Sequence, residues 1–136
     1  MKVVMSIGNP IKSDDNIGNI ILDKINLEDV KKIKGETTPE NFIDNLKIYE
    51  EVTIIDALQF EGEVGEVRTF DLDQIKEVVI STHNVTFDLL QKFLPNSKIR
   101  VIGIQTKNID FGLEMSDELK SKIGQIVENV TQLLKQ

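Results

Sequence analysis

The chain alternates short β-rich apolar runs with segments whose apolar residues recur at helical spacing, the pattern of a layered α/β fold. Lys2–Ile7 reads as a first strand, followed by the loop Gly8-Asn9-Pro10-Ile11-Lys12. Ser13 stands where a helix cap belongs, with Asp14 and Asp15 in the first turn, where carboxylates complement the positive end of the helix dipole. Ile17, Ile20, Ile21 and Ile25 then fall on one helical face. A weaker strand is predicted over Val30–Lys34. Thr38-Pro39-Glu40 predicts a helix start, with a cap, a proline at the first helical position and an acid in the first turn. Phe42, Ile43, Leu46 and Ile48 supply its apolar side.

Val52-Thr53-Ile54-Ile55 is the clearest buried strand and ends in Asp56, after which Phe60–Gly65 reads as a turn. Val67 and Phe70 mark a strand beyond it. Val78-Val79-Ile80 is a short apolar run ending in Ser81-Thr82-His83-Asn84. A helix is predicted over Val85–Phe93, stopped by Pro95. Ile99–Ile104 is another strand. The last helix, Asp117–Leu134, puts Leu119, Ile123, Ile126, Val127, Val130, Leu133 and Leu134 on one stripe. These elements assemble into a twisted, mostly parallel sheet with helices on both faces.

A chain of 136 residues predicts one domain, residues 1–136. Hydrophobic residues at 40% and charged residues at 29% are those of an ordinary soluble protein. The absence of Cys excludes disulfides, zinc ribbons, iron–sulfur clusters and thiol nucleophiles, so a metal held here is held by oxygen and imidazole. A net charge of −7 argues against general nucleic-acid binding and suits a protein that works on a basic peptide, a metal or another protein. No stretch approaches the roughly 20 apolar residues of a membrane helix. The apolar run at the N-terminus stops at Gly8, too short for a signal peptide, and a cytoplasmic protein is expected.

In open α/β sheets ligands bind beyond the carboxyl ends of the strands. Asp14-Asp15, Asp56 and His83 each follow an apolar run. Taken singly, each has an ordinary explanation: a dipole partner, a turn former, a loop histidine. Brought to one sheet edge, two carboxylates and the chain's only imidazole make an incomplete first shell for a divalent metal. There is no Gly-x-Gly-x-x-Gly, no phosphate-binding Gly-x-x-x-x-Gly-Lys-Ser/Thr and no Gly-x-Ser-x-Gly elbow. Ser81, His83 and Asp56 could supply a triad only if Ser and His two residues apart faced each other. A receiver-type phosphoacceptor is the numerical rival: Asp14-Asp15, Asp56, Thr82 and Lys107 fill its positions. Against it stand the six-residue loop Gly8–Ser13 before the acidic pair and the missing Pro after Lys107.

Ile7-Gly8-Asn9 with Asp14-Asp15 and Gly18 resembles the N-terminal signature of the hydrogenase maturation endopeptidases. Thr37-Thr38-Pro39-Glu40-Asn41, Ile55-Asp56-Ala57, Ser81-Thr82-His83-Asn84 and Gly103-Ile104-Gln105 resemble that family's later motifs, in order and over nearly the whole chain. Departures are Asn16 and Val64-Gly65, where Gly and Pro-Gly are common, and Lys34-Gly35-Glu36, where an Asp followed by small residues is common. The resemblance implies a three-layer α/β sandwich around a five-stranded sheet. It implies an aspartic-type or metal-dependent endopeptidase that removes a C-terminal extension from the precursor of a nickel–iron hydrogenase large subunit after nickel insertion. Its metal-contacting and catalytic trio falls on Asp15, Asp56 and His83, with Asp14 a supporting acid. In that reading nickel is expected to be presented by the substrate, with no organic cofactor, nucleic acid or membrane involved. A non-catalytic, nickel-sensing escort of the large subunit is the alternative within the same resemblance. As exposed site residues, His83 and Asp15 are expected to carry little of the core.

Overall fold

The computed structural model describes residues 2–78, 84–107 and 114–136. Five strands form one sheet: β1 (Lys2–Ile7), β2 (Val30–Glu36), β3 (Glu51–Leu58), β4 (Val67–Asp71) and β5 (Lys98–Gln105), in the order β2-β1-β3-β5-β4. β1, β2, β3 and β5 run parallel, and β4 pairs antiparallel with β5 at the edge. The helices are α1 (Ile17–Lys24), α2 (Ile43–Leu46), α3 (Leu72–Val78), α4 (Asn84–Phe93), α5 (Asp117–Lys120) and α6 (Ile123–Leu134).

Strand alternation sends side chains to two separate cores. Val3, Met5, Ile7, Val52, Ile54, Leu58 and Val101 pack with Leu46, Leu72, Ile75, Phe87, Leu90 and Leu94 on the α2–α4 face. Val4, Ile55, Ala57, Ile102 and Ile104 pack with Ile17, Ile21, Leu22, Leu119, Ile126, Val130 and Leu134 on the α1–α6 face. The central strands are covered on both sides, which is why they read as continuous apolar runs.

Several expectations are corrected. β3 continues through Asp56 to Leu58, so Asp56 is a strand residue paired opposite Gly103. β2 extends to Glu36, with an irregularity in its pairing to Ser6 and Ile7. Pro39 does open a helical segment, but that segment is a 3-10 turn, Pro39–Phe42, without a Thr38 side-chain cap, and α2 adds a single turn. Ile48 lies beyond α2 and is 80% exposed, so it is no part of that helix's apolar side. The final helix is two pieces, α5 and α6. Residues 72–78, of which only Val78 stood out in the sequence, form α3, and Val79–His83 lie outside the described residues.

The sheet's carboxyl edge is shaped by a close approach. A Cβ on Gly18 would lie 2.9 Å from the carbonyl oxygens of both Ile7 and Ile55. The first turn of α1 therefore rests directly on the end of β1 and on β3 at Ile55. Gly18→Ala is expected to destabilise the protein by about 1–3 kcal/mol, because the neighbouring atoms are backbone and cannot yield. Gly124, exposed on α6 with nothing within 4 Å of its would-be Cβ, is the contrast. Gly124→Ala should stabilise by about 0.5–1 kcal/mol. Equilibrium unfolding in urea measures both, and a Gly18→Ala protein as stable as the parent would refute the close-approach account.

Candidate functional site at the carboxyl edge of the sheet

Asp14 and Asp15 are not a dipole pair at the start of a long helix. They sit in a 3-10 turn, Ser13–Asn16, that leads into α1, and Lys12 rather than Ser13 occupies the cap position. Asp14 is fully buried and Asp15 is 5% exposed. Burial of carboxylates at adjacent positions is costly unless each is given hydrogen-bond donors, and the turn supplies them differently.

Asp14 is a tie. Its Oδ1 accepts from the Ser116 N–H at 2.7 Å, and its Oδ2 accepts from the Lys107 N–H and the Ser116 hydroxyl, both at 2.9 Å. Ser116 in turn caps α5 by accepting from the Leu119 N–H. One carboxylate thus anchors the residues just after β5 and just before α5 to the turn after β1. The expectation of a supporting acid at position 14 acquires a physical content here.

Asp15 faces the loop. Its Oδ2 accepts from the Asn9 N–H at 2.9 Å. Asn9 orders the same loop through its side chain, whose Oδ1 accepts from the Ile11 N–H, and through its carbonyl, which accepts from the Lys12 N–H. Gly8 is required by contact: a Cβ there would stand 2.3 Å from the Asp15 carbonyl oxygen. The Gly8-Asn9 pair and the acidic pair are therefore one construction.

Asp56 is fully buried in β3. The last β1–β3 pair is Ser6 with Ile55, so Asp56 lies one residue beyond it, where β1 is ending and the 8–12 loop begins. By alternation it shares the sheet face of Ile54 and Leu58, the face that Phe87 and Leu90 of α4 cover. The 3-10 turn holding Asp15 packs against β3. His83 lies outside the described residues, immediately before α4. Ser81 and Thr82, candidates for a triad and for a receiver site, lie outside them too. Among the described residues no group of three or more His, Cys, Asp or Glu side chains is gathered for a metal ion. Asp15 and Asp56 are both buried, and the expectation of an exposed site residue is corrected for Asp15.

The other side of this edge is held by Gln105, the last residue of the Gly103-Ile104-Gln105 motif, and by Gln59, which the sequence did not single out. Gln105 Oε1 accepts from the Phe60 and Gly62 N–H groups, at 2.8 and 3.3 Å. Its Nε2 donates to Gln59 Oε1, and Gln59 Nε2 donates to the carbonyl and hydroxyl of Thr106. This network pins the 59–62 turn against the end of β5. Farther along the turn, the Arg68 guanidinium pairs with Glu66 and holds its carboxyl below the usual range. Lys107 directs its ammonium to Glu118 at 3.5 Å, and it is the Lys107 backbone N–H that reaches Asp14. An open cleft of about 590 Å³ lies beside the Asp15 turn, bordered by Pro10, Ile11, Asn16, Met115 and Ile123. No helix among the described residues is long and apolar enough to cross a membrane.

A mostly parallel five-stranded sheet covered by helices on both faces defines a class, the α/β sandwich, and in open sheets of that class ligands bind beyond the carboxyl ends of the strands. Comparison with known proteins narrows it. The model of the hydrogenase maturation protease family HycI matches residues 20–133, a span that contains Asp56 and His83 and begins after Asp15. A Methanocaldococcus jannaschii protein carrying that family's name is 31% identical over 150 residues, covering 98% of this chain and 88% of the relative. The hydrogenase 3 maturation protease of Escherichia coli is 25% identical over 136 residues, covering 94% of this chain and 87% of that protein. The crystal structure of a nickel–iron hydrogenase maturation protease, HycI from Thermococcus kodakarensis, covers 99% of this chain and 92% of its own, with TM-score 0.77 and 25% identity. This chain belongs to the hydrogenase maturation protease family.

The tie through Asp14 makes a prediction about stability. Asp14→Asn replaces one accepting oxygen by an NH₂ group that faces N–H or O–H donors in either orientation of the amide. The loss is expected to be about 2–3 kcal/mol, of the size seen when hydrogen bonds to a charged group are broken. Ser116→Ala, which leaves the two backbone donors in place, should cost about half as much. Urea unfolding of the two variants measures this, and an Asp14→Asn protein of parental stability would remove the tie from the account.

Proposed function

We propose that this chain is an endopeptidase that removes the C-terminal extension of a nickel–iron hydrogenase large-subunit precursor once nickel has been inserted, with Asp15, Asp56 and His83 reading the nickel. Membership of the hydrogenase maturation protease family supports the reaction class. The observation that carries the site assignment is the burial of Asp15 and Asp56 at one sheet edge, where a structural role alone would favour apolar residues.

The donor set explains why nickel belongs to the substrate. Oxygen and imidazole without thiolate make a modest binding set for nickel. A metal already seated in the precursor brings ligands of its own, so docking is strong only when the precursor is loaded. Cleavage then acts as a checkpoint on nickel insertion. Within this reading the Asp15 turn and the cleft beside it receive the precursor's C-terminal segment, with Ile11, 67% exposed, on the docking side. The nickel-sensing escort remains the alternative, and peptide-bond cleavage is what separates the two.

Incubation with nickel-loaded and nickel-free precursor, followed by intact-mass analysis, tests the proposal. Loss of a C-terminal peptide is expected from the loaded form alone. Asp15→Asn and His83→Ala should abolish that loss. Asp15→Asn keeps an oxygen to accept from the Asn9 N–H, so the fold should persist while the charge is gone. Lys107→Ala should stay within about threefold of parental cleavage, under ~0.7 kcal/mol of barrier. Treatment with acetyl phosphate and Mg²⁺ should leave no acyl phosphate. Near-normal processing by His83→Ala would refute nickel recognition by that residue, and a phosphate on Asp56 that Asp56→Asn abolishes would favour a receiver instead.

A further inference from the structure

We infer that Asn19 is a positioning residue that fixes the Asp15 carboxylate through the peptide group between Gly8 and Asn9. This inference rests on the reading of Asp15 as a residue that meets the metal-loaded substrate. Asn19 lies in the first turn of α1 and is 4% exposed. Its Nδ2 donates to the Gly8 carbonyl at 3.0 Å and to Asn16 Oδ1 at 2.9 Å, and its Oδ1 accepts from the Ser6 hydroxyl at 2.8 Å. A carbonyl only accepts, so the bond to Gly8 fixes which end of the amide is nitrogen.

The Gly8 carbonyl and the Asn9 N–H are the two poles of a single trans peptide group and point in opposite directions. Asn19 holds one pole. The other donates to Asp15 Oδ2 at 2.9 Å. A hydrogen bond to the carbonyl end also polarises the N–H end and strengthens it as a donor. The clamp answers a weakness built in next to it. Position 8 must be glycine, because any Cβ would collide with the Asp15 carbonyl, and glycine offers little resistance to rotation of the peptide that follows it. Without Asn19, that peptide can turn and take its N–H off the carboxylate. The preceding peptide is held separately, by the Gly8 N–H donating to the Glu36 carbonyl. A helix position packed against an apolar sheet face would be filled most stably by an apolar residue. Here the amide spends both its donors on the segment that presents Asp15.

Three variants test the role: Asn19→Asp, which keeps the size and the acceptor for Ser6 but lacks the amide donors; Asn19→Ala; and Ser6→Ala, which removes only the hydroxyl holding the amide. The readouts are the backbone amide of Asn9 by NMR and the kinetics of cleavage of nickel-loaded precursor. In Asn19→Asp and Asn19→Ala the Asn9 amide proton should move upfield and exchange with solvent at least about tenfold faster, and kcat should fall about 10- to 100-fold with KM within threefold. Ser6→Ala should shift both readouts in the same direction by less, and it keeps the test alive if an Asn19 variant fails to fold. Val130→Ala, a core truncation on α6, controls for lost stability and should leave the Asn9 amide and kcat unchanged. An unmoved Asn9 amide in folded Asn19→Asp and Ser6→Ala overturns the inference, as does an equal fall in kcat in Val130→Ala. If the parent protein cuts no loaded precursor, the proposed function fails by itself, and the amide readout still decides whether Asn19 holds the Asp15 loop.

Discussion

The structure turns on the need to bury adjacent carboxylates at one sheet edge. An ionised carboxylate taken out of water loses several kcal/mol of solvation unless the protein returns it as hydrogen bonds. Asp14 and Asp15 cannot both recover that loss from the same donors, because successive residues of a tight turn point apart. Asp14 recruits Ser116 and the Lys107 backbone from the far end of the chain, while Asp15 recruits the backbone of Asn9 from the loop just before it. The local chain path follows from this division. Gly8 and Gly18 are the two places where backbone must pass against backbone for those donors to arrive, and a side chain at either would hold the turn off the strand ends.

The sheet contributes the third acid by parity. β3 outlasts β1, so its residues beyond Ile55 are no longer covered by a paired strand on the β1 side. Ala57 still belongs to the α1–α6 core, whereas Asp56 and Leu58 take the opposite face. One residue more or less between Val52 and Asp56 would exchange those faces. The amide network of Gln59, Gln105 and Thr106 closes the same edge from the β5 side. This edge is therefore built from hydrogen-bonded loops that cap the carboxyl ends of both cores, where Ile7, Leu58 and Ala57 are buried.

The fold was largely legible because buried strands and amphipathic helices leave periodic traces: Val52–Ile55, Ile99–Ile104 and the stripe on α6 are examples. The sequence was misleading where tertiary contacts override local signals. Asp14-Asp15 has the form of a dipole pair, yet its partners stand as many as 102 positions away, a distance no local pattern encodes. Ile48 continues the apolar spacing of Phe42, Ile43 and Leu46, but the helix that spacing belongs to ends first. Asp56 read as a strand terminator because an acid after a short β-rich run such as Val52-Thr53-Ile54-Ile55 usually is one. What identifies it as a strand residue is its pairing with Gly103. Asn19 left almost no trace: a lone amide between Gly18 and Ile20 reads as a weak point on a helix, and its meaning lies in the carbonyl it holds.

The kind of donor matters as much as the number. Among the described residues, the hydrogen-bond donors to Asp14 and Asp15 include peptide N–H groups and a hydroxyl, which solvate negative charge without cancelling it. An arginine in the same place would satisfy the oxygens and also neutralise the site. In a chain whose net charge is already −7, such donors hold the carboxylates in place without adding positive charge of their own. In the proposed function, a cation carried by the precursor would meet oxygens already held in place by these donors. Fixed orientation then matters more than intrinsic affinity, because ligands split between two proteins must align at the moment of docking. For a site of this type, the residues that hold a carboxylate in place count for as much as the carboxylate itself.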